Sequence, residues 1–589
     1  ETVTYTYDSC TNGIGRLCTL TDKTGTTTWS YDLKGRVTAK SQTVNSVTQT
    51  VGYGYNSAGQ MTSLTTPSGQ VIGYSFTNNR ITAVTLNGST TILNSVEYEP
   101  FGPVGEWTWG NSTVSAPNKH TRYFDLDGRI GKIEPAAGLD ASQYVIDLAS
   151  RITGIETVTA GTSTVNTAKS FSYGYDNLDR LTSQTPGSGN TTPSQAYSYD
   201  AIGNRLTNTV GGGGGTTTYA YPSPVTSHRL MSLSGATAKT YSYDANGNRT
   251  SDGTVTWSYG GNNRPISATT GGTTTAFAIN ALGQRISKTT GGTTTRFVYD
   301  EAGRLLGEYD GSGNLIQEVV WLGSVPVATI RSNGSGGVNH FYVHADHLGT
   351  PRAITRPSDN SLVWKNENVD PFVNAQPNEN PGSLGIFKYN LRFPGQVADV
   401  ETNTNYNYFR DYDATTGRYI QSDPIGLKGG INTFAYVKND PLRFIDPRGL
   451  DAWLQGEAGG TAQFILIGGS LGGGLMTNAS TGETCPYIMI CPRLGPGLQL
   501  SAGGKIGAQQ GPRCGKDLTG WNIQAAGDIV TPGGGIGVNV GVGDRKLTGA
   551  GAGVGPGWGL GFSFAIEFCW VQVQASACKL TPPECKDCK

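Results

Sequence analysis

The sequence predicts an all-β chain: a long array of β-hairpins, then a separate glycine-rich domain that is also expected to be β. Three observations lead there. An aromatic-Asp motif returns about every 20 to 24 residues. Glycine reaches 85 of 589 residues. Seven of the nine cysteines lie at or beyond Cys485, where the motif has disappeared.

Composition limits the fold first. Apolar residues make up 36% of the chain and charged residues 15%, both low for a globular protein. Glycine and asparagine accept positive φ in tight turns, and glycine is costly inside helices, so short strands and turns are favoured over long helices. Aromatic residues, at 9% and regularly spaced, argue against disorder. A formal net charge of −1 gives no long-range field to steer the array towards nucleic acid or anionic lipid. There is no basic run, no apolar span long enough for a membrane helix and no secretory h-region. The sequence opens at Glu1 inside a repeat, as a fragment or processed product would.

The repeat unit is an aromatic residue, Asp, two variable residues, Gly-Arg, an apolar residue and Thr or Ser. It reads Tyr31-Asp32-Leu33-Lys34-Gly35-Arg36-Val37-Thr38, then Tyr55-Asn56-Ser57-Ala58-Gly59-Gln60, then Phe124-Asp125-Leu126-Asp127-Gly128-Arg129. Further copies start at Tyr175, Tyr199, Tyr243, Ile279 and Tyr299, with degraded ones at Phe76, Tyr98, Ile146, Tyr221 and Tyr259. Each unit predicts a hairpin. An alternating stretch such as Thr28-Trp29-Ser30-Tyr31 is a strand with one buried face, Asp opens an Asx-type turn, and Gly supplies positive φ. One hairpin cannot bury its aromatic face alone, so neighbours must join in a continuous sheet. Packing and turn chemistry therefore account for these Tyr and Asp residues without a ligand role.

Residues 1 to about 450 resemble the RHS/YD-repeat proteins. The likeness is strengthened by a run similar to the RHS core: His344-Ala345-Asp346-His347-Leu348-Gly349-Thr350-Pro351-Arg352, Leu391-Arg392-Phe393-Pro394-Gly395-Gln396, and Tyr406-Asn407-Tyr408-Phe409-Arg410-Asp411-Tyr412-Asp413. It continues through Thr416-Gly417-Arg418-Tyr419-Ile420-Gln421-Ser422-Asp423-Pro424-Ile425-Gly426-Leu427 and Phe444-Ile445-Asp446-Pro447-Arg448-Gly449-Leu450. The resemblance implies a repeat array over 1–335, a core plug with an aspartyl autoprotease over 336–450, and a variable C-terminal domain, a candidate toxin, over 451–589. It implies a sheet that spirals into a hollow shell enclosing the C-terminal domain, and cleavage just after Leu450. Members include polymorphic toxins and the shell subunits of insecticidal toxin complexes. An immunity protein and a secretion-system or carrier protein are therefore the expected partners, beside the chain's own C-terminal domain as cargo, in a secreted or cell-surface bacterial protein.

Asp423 and Asp446 stand 23 residues apart, about one hairpin-like unit, so they can face each other. Two adjacent carboxylates do not both ionise easily; one keeps a proton and serves as acid while the other activates water. Arg418 is the expected charge partner. Gly449 before the scissile Leu450–Asp451 bond would allow close backbone approach. By itself Asp-Pro-x-Gly is a common turn signature, and the dyad reading rests on the resemblance. Asp451 departs from the large apolar residue that usually follows the cut. His340, His344, Asp346 and His347 are loosely spaced, and no metal or cofactor is expected.

Beyond Leu450 no histidine occurs, which excludes an HNH-type nuclease and disfavours His-dependent RNase and Cys-His hydrolase chemistry. Alternation in Ile536–Gly543, Trp558–Phe568 and Val571–Gln574 predicts strands. They suit a soluble β-domain, or the lipid-facing hairpins of a membrane-permeabilising one, the only part of the chain for which a membrane is a candidate partner. Cys10 and Cys18, and the group Cys485, Cys491, Cys514, Cys569, Cys578, Cys585 and Cys588, are disulfide candidates. Zinc at Cys585-x-x-Cys588 is the weaker alternative. A non-enzymatic, adhesive surface protein is the rival reading of the whole.

Overall fold

The repeat dictates a local structure that can be followed atom by atom. In the computed structural model, residues 2–450 are described apart from 101, 111–117, 137, 223–226 and 368, together with the backbone of the strands beyond 450. In the Tyr31–Arg36 copy, Asp32 Oδ1 accepts the backbone N–H groups of Lys34 and Arg36, each at 2.9 Å. Asp32 Oδ2 accepts Arg36 Nε at 2.7 Å, and Gly35 takes φ +75°. The same pattern returns at Asp125, Asp147, Asp176 and Asp300. A register shift falls just before the aromatic residue in copy after copy, at Ser30/Tyr31, Gly54/Tyr55, Gly174/Tyr175 and Ser198/Tyr199.

Successive turns then interlock. Arg36 Nη1 donates to Asn56 O of the next turn at 3.2 Å, and its guanidinium lies 4.4 Å from the Tyr55 ring centroid. Tyr55 OH donates back to Val37 O at 2.9 Å. Arg16 with Tyr31, Arg80 with Tyr98 and Arg180 with Tyr199 repeat the link, and Trp321 takes the tyrosine's place above Arg304. These units are thus tied to their neighbours by a cation–π contact and hydrogen bonds as well as by strand pairing.

Strand pairing joins each strand antiparallel to its successor in two long meanders. One has 21 strands, from Thr4–Tyr7 to Lys239–Thr240; the other has 13, from Ser242–Tyr243 to Leu362–Lys365. Among the described residues, neither closes on itself by strand pairing. They share a core in which Val51, Leu64, Ile72 and Val84 of the first meet Val320, Val327 and Ile330 of the second. The division expected at 335/336 falls inside a hairpin of the second sheet, because Val325–Ser332 pairs with Val338–Ala345. Residues 336–365 are therefore sheet, and the core segment proper follows them. It contains a four-stranded sheet of Val397–Asp399, Thr404–Asn407, Arg410–Asp413 and Arg418–Tyr419.

Two units divide the chain at 461/462, eleven residues beyond the expected boundary. Trp453–Leu454 pairs with Phe444–Ile445, which keeps the first residues past Leu450 with the core segment. The second unit is a seven-stranded antiparallel sheet in the order Ile467–Thr477, Thr484–Leu494, Gly561–Val573, Gly520–Thr531, Gly534–Gly543, Lys546–Gly555, Gly504–Gln509. The alternating stretches at Ile536–Gly543 and within Trp558–Phe568 and Val571–Gln574 fall on the strands Gly534–Gly543 and Gly561–Val573. Cys10 and Cys18 form a disulfide with a Cα–Cα distance of 5.6 Å, closing the loop at Asn12-Gly13. The side chains of Cys485, Cys491 and Cys569, and all of Cys514, Cys578, Cys585 and Cys588, lie outside the described residues.

Candidate active site

Asp423 and Asp446 come together in the core segment, both buried. Arg410, which begins its strand, lies between them: its Nη2 is 2.9 Å from Asp423 Oδ2 and 3.1 Å from Asp446 Oδ2. The same guanidinium donates from Nε to Gly449 O at 2.6 Å and from Nη1 to Thr433 O at 3.1 Å. Its Cζ lies 3.6 Å from the centroid of the Tyr419 ring. Tyr419 OH donates to Asp446 Oδ2 at 2.7 Å. Burial and the facing Asp446 carboxylate push the Tyr419 hydroxyl well above its ordinary pKa, so it remains a donor. Asn407 Nδ2 donates both to Tyr419 OH at 2.7 Å and to Asp446 O at 2.9 Å.

The chain that would be cut is bound to the same groups. Leu450 N donates to Asp446 Oδ1 at 2.9 Å. A β-carbon on Gly429 would collide with Asp423 Oδ2 and sit 2.8 Å from Leu450 O, so carboxylate and carbonyl crowd one spot that only glycine leaves open. Gly449 takes φ +69°, and a β-carbon there would strike Asn407 O, so this glycine lets the segment lie against the 407–410 turn. A cavity of about 280 Å³ adjoins the pair, lined by Arg410, Asp446 and Leu450 and by Leu178, Ile202 and Val437. Asp451 lies outside the described residues.

Arg418 is not the charge partner expected from the sequence. It donates to Tyr221 OH at 2.6 Å and to His228 O, on the repeat array. The reason is strand parity. Tyr412 stands opposite Tyr419 and Asp413 opposite Arg418, so Arg410, Tyr412 and Tyr419 share one face of the sheet. Asp411, Asp413 and Arg418 occupy the other. Alternation along the paired strands is the signal that separates Arg410 from Arg418. The histidine group is engaged locally: His344 Nε2 meets Thr355 Oγ1 at 2.9 Å, His347 Nε2 meets Leu442 O at 2.7 Å, and Asp346 caps its own turn.

Residues 139–319 match the family described as Teneurin YD-shell, and residues 31–71 match RHS Repeat. The chain is 35% identical over 131 residues to the double-stranded DNA deaminase toxin A of Burkholderia cenocepacia, covering 21% of this chain and 8% of that protein. It is 36% identical over 126 residues to the toxin protein Tse5 of Pseudomonas aeruginosa, covering 21% and 9%. The chain thus spans less than a tenth of either relative's length. In fold it is similar to the Tc holotoxin pore of Photorhabdus luminescens, with a TM-score of 0.63 at 16% identity over 77% of this chain and 25% of that one.

Proposed function

On the premise that the chain carries RHS and YD-shell repeats in the fold of a toxin-complex shell, we propose that it encloses a C-terminal effector and frees it by cutting itself after Leu450. The effector would act in interbacterial or host-directed toxicity. The observation that carries the reading is one arginine nitrogen contacting both carboxylates while the same residues hold Gly449 and Leu450.

The chemistry follows from the placement. Asp423, beside the Leu450 carbonyl oxygen, delivers a proton to it. Asp446, which faces the cavity, takes a proton from water, whose oxygen bonds to the Leu450 carbonyl carbon. As the tetrahedral adduct collapses, the C–N bond to Asp451 breaks, the amine leaves with the proton held by Asp446, and Asp423 takes back the proton it gave, leaving a carboxyl group on Leu450. Arg410 and Tyr419 keep the pair in place and balance its negative charge.

A time course on a denaturing gel tests it. The wild-type chain should resolve into a large fragment ending at Leu450 and a small one starting at Asp451. Asp423→Asn and Asp446→Asn should each remain a single band. A wild-type chain that stays intact under all conditions would sink the proposal and leave the adhesive reading.

A further inference from the structure

Most copies of the repeat end in Arg followed by an apolar residue, as in Arg36-Val37, Arg151-Ile152 and Arg180-Leu181. Three copies displace the arginine by one position, to Asn204-Arg205, Asn248-Arg249 and Gln284-Arg285. Alternation along a strand means that a shift of one residue moves a side chain to the opposite face. The structure obeys this. Arg36 is half-buried beside the next turn. Arg205, Arg249 and Arg285 occupy the inward site held by Leu181 or Ile152 elsewhere, and are only 2%, 3% and 1% exposed.

All three meet the core segment. Arg249 Nη1 pairs with Asp413 Oδ2 at 2.7 Å, and its backbone N donates to Ile420 O at 3.0 Å. Arg285 Nη1 pairs with Asp399 Oδ2, and Tyr406 OH accepts its backbone N–H at 2.9 Å. Arg205 lies 4.1 Å from the Phe372 ring centroid, beneath Gly417. Asp399, Tyr406 and Asp413 stand on one face of the four-stranded sheet; Asn407, Arg410 and Tyr419 stand on the other. One face of this sheet is therefore bolted to the repeat array, and the opposite face carries the groups that hold Asp446.

We propose that Arg249 and Arg285, displaced by one residue in their repeats, are positioning residues that seat this sheet on the array and so hold Arg410 against both carboxylates. Asp413 and Arg410 are three residues apart on one strand, so the Arg249–Asp413 pair fixes the strand end to end. A displaced arginine in a copy of the repeat thus marks the surface on which the core segment docks.

The proposal rests on the self-cleavage reading for its catalytic consequence and on geometry for the docking, and two measurements on the full chain separate them. In cell-free synthesis, Arg249→Gln and Arg285→Gln should slow fragment formation at least tenfold. Arg249→Lys, which keeps the charge, should stay within about threefold of wild type, and Arg36→Gln, in an outward copy, should match it. Hydrogen exchange should show faster amide deuteration across residues 397–419 in Arg249→Gln and no change there in Arg36→Gln. Equal exchange in those two variants would overturn the docking claim whether or not the chain cuts itself; unchanged cutting in Arg249→Gln would overturn the positioning claim. If Arg249→Gln fails to fold, the swapped pair Arg249→Asp with Asp413→Arg decides: restored folding and cutting support the proposal, and loss of cutting in a folded chain overturns it. An intact wild-type chain sinks only the self-cleavage reading.

Discussion

Gly429 sets how near the chain can come to Asp423. Its missing β-carbon leaves room for both the Asp423 carboxylate and the Leu450 carbonyl oxygen. Gly429→Ala should therefore separate carbonyl and acid and slow self-cleavage at least tenfold, read as the rate of fragment appearance on a gel. The fold should survive, because displacement is confined to a surface 3-10 turn at Gly426–Gly429. Arg410→Lys should be more severe than its retained charge suggests. A lysine is a point donor that cannot reproduce the arginine fork, which serves two carboxylates, Gly449 O and Thr433 O at once. Asp423 and Asp446 were legible in the sequence because each sits in a long motif run. Arg410 lay in one of those runs too, yet Arg418 was the expected charge partner. The two differ by face, and face depends on where a strand begins.

At the level of the hairpin, the arginine–tyrosine ladder ties neighbours through groups that the motif spells out. Tyr55→Phe removes the donor to Val37 O and should destabilise the chain by about 1 kcal/mol, seen as a lower midpoint in urea unfolding. The turn carboxylate Asp32 and the buried Asp440 respond to pH in opposite directions. Hydrogen bonds from Arg36 hold Asp32 below the usual carboxylate range, so its contribution is present above the unfolded pKa and is lost as pH falls through the lower folded value. Asp440 is the reverse: burial pushes it up to about 6, against the pull of Arg443. Its contribution is complete below the unfolded value of about 3.9 and is lost as pH rises through about 6. Asp440→Asn should accordingly gain on the wild type by something on the order of 2 kcal/mol between pH 4 and pH 7, measured by denaturant unfolding at both values. A gain that is the same at pH 4 and pH 7 would contradict this assignment.

For the whole molecule, the consequence of self-cleavage is a separate 451–589 fragment. Expressed alone in bacteria it should arrest growth, while the same residues within the uncuttable Asp423→Asn chain should not; growth curves of the two strains read the difference. The sequence by itself determined the hairpin and its turn, because side-chain period, Asx turns and glycine φ act within a few residues. Alternation in Ile536–Gly543 and Trp558–Phe568 likewise pointed to β structure after 450. Tertiary structure alone decided which groups meet: Arg249 with Asp413 and Arg285 with Asp399, each more than a hundred residues apart, and Arg410 with both carboxylates. The first two join faces of different sheets; the third depends on the face of the strand from which Arg410 projects. A shift of one residue along a strand reverses the face while leaving local composition unchanged, so only the packed sheets fix which arginine reaches which carboxylate.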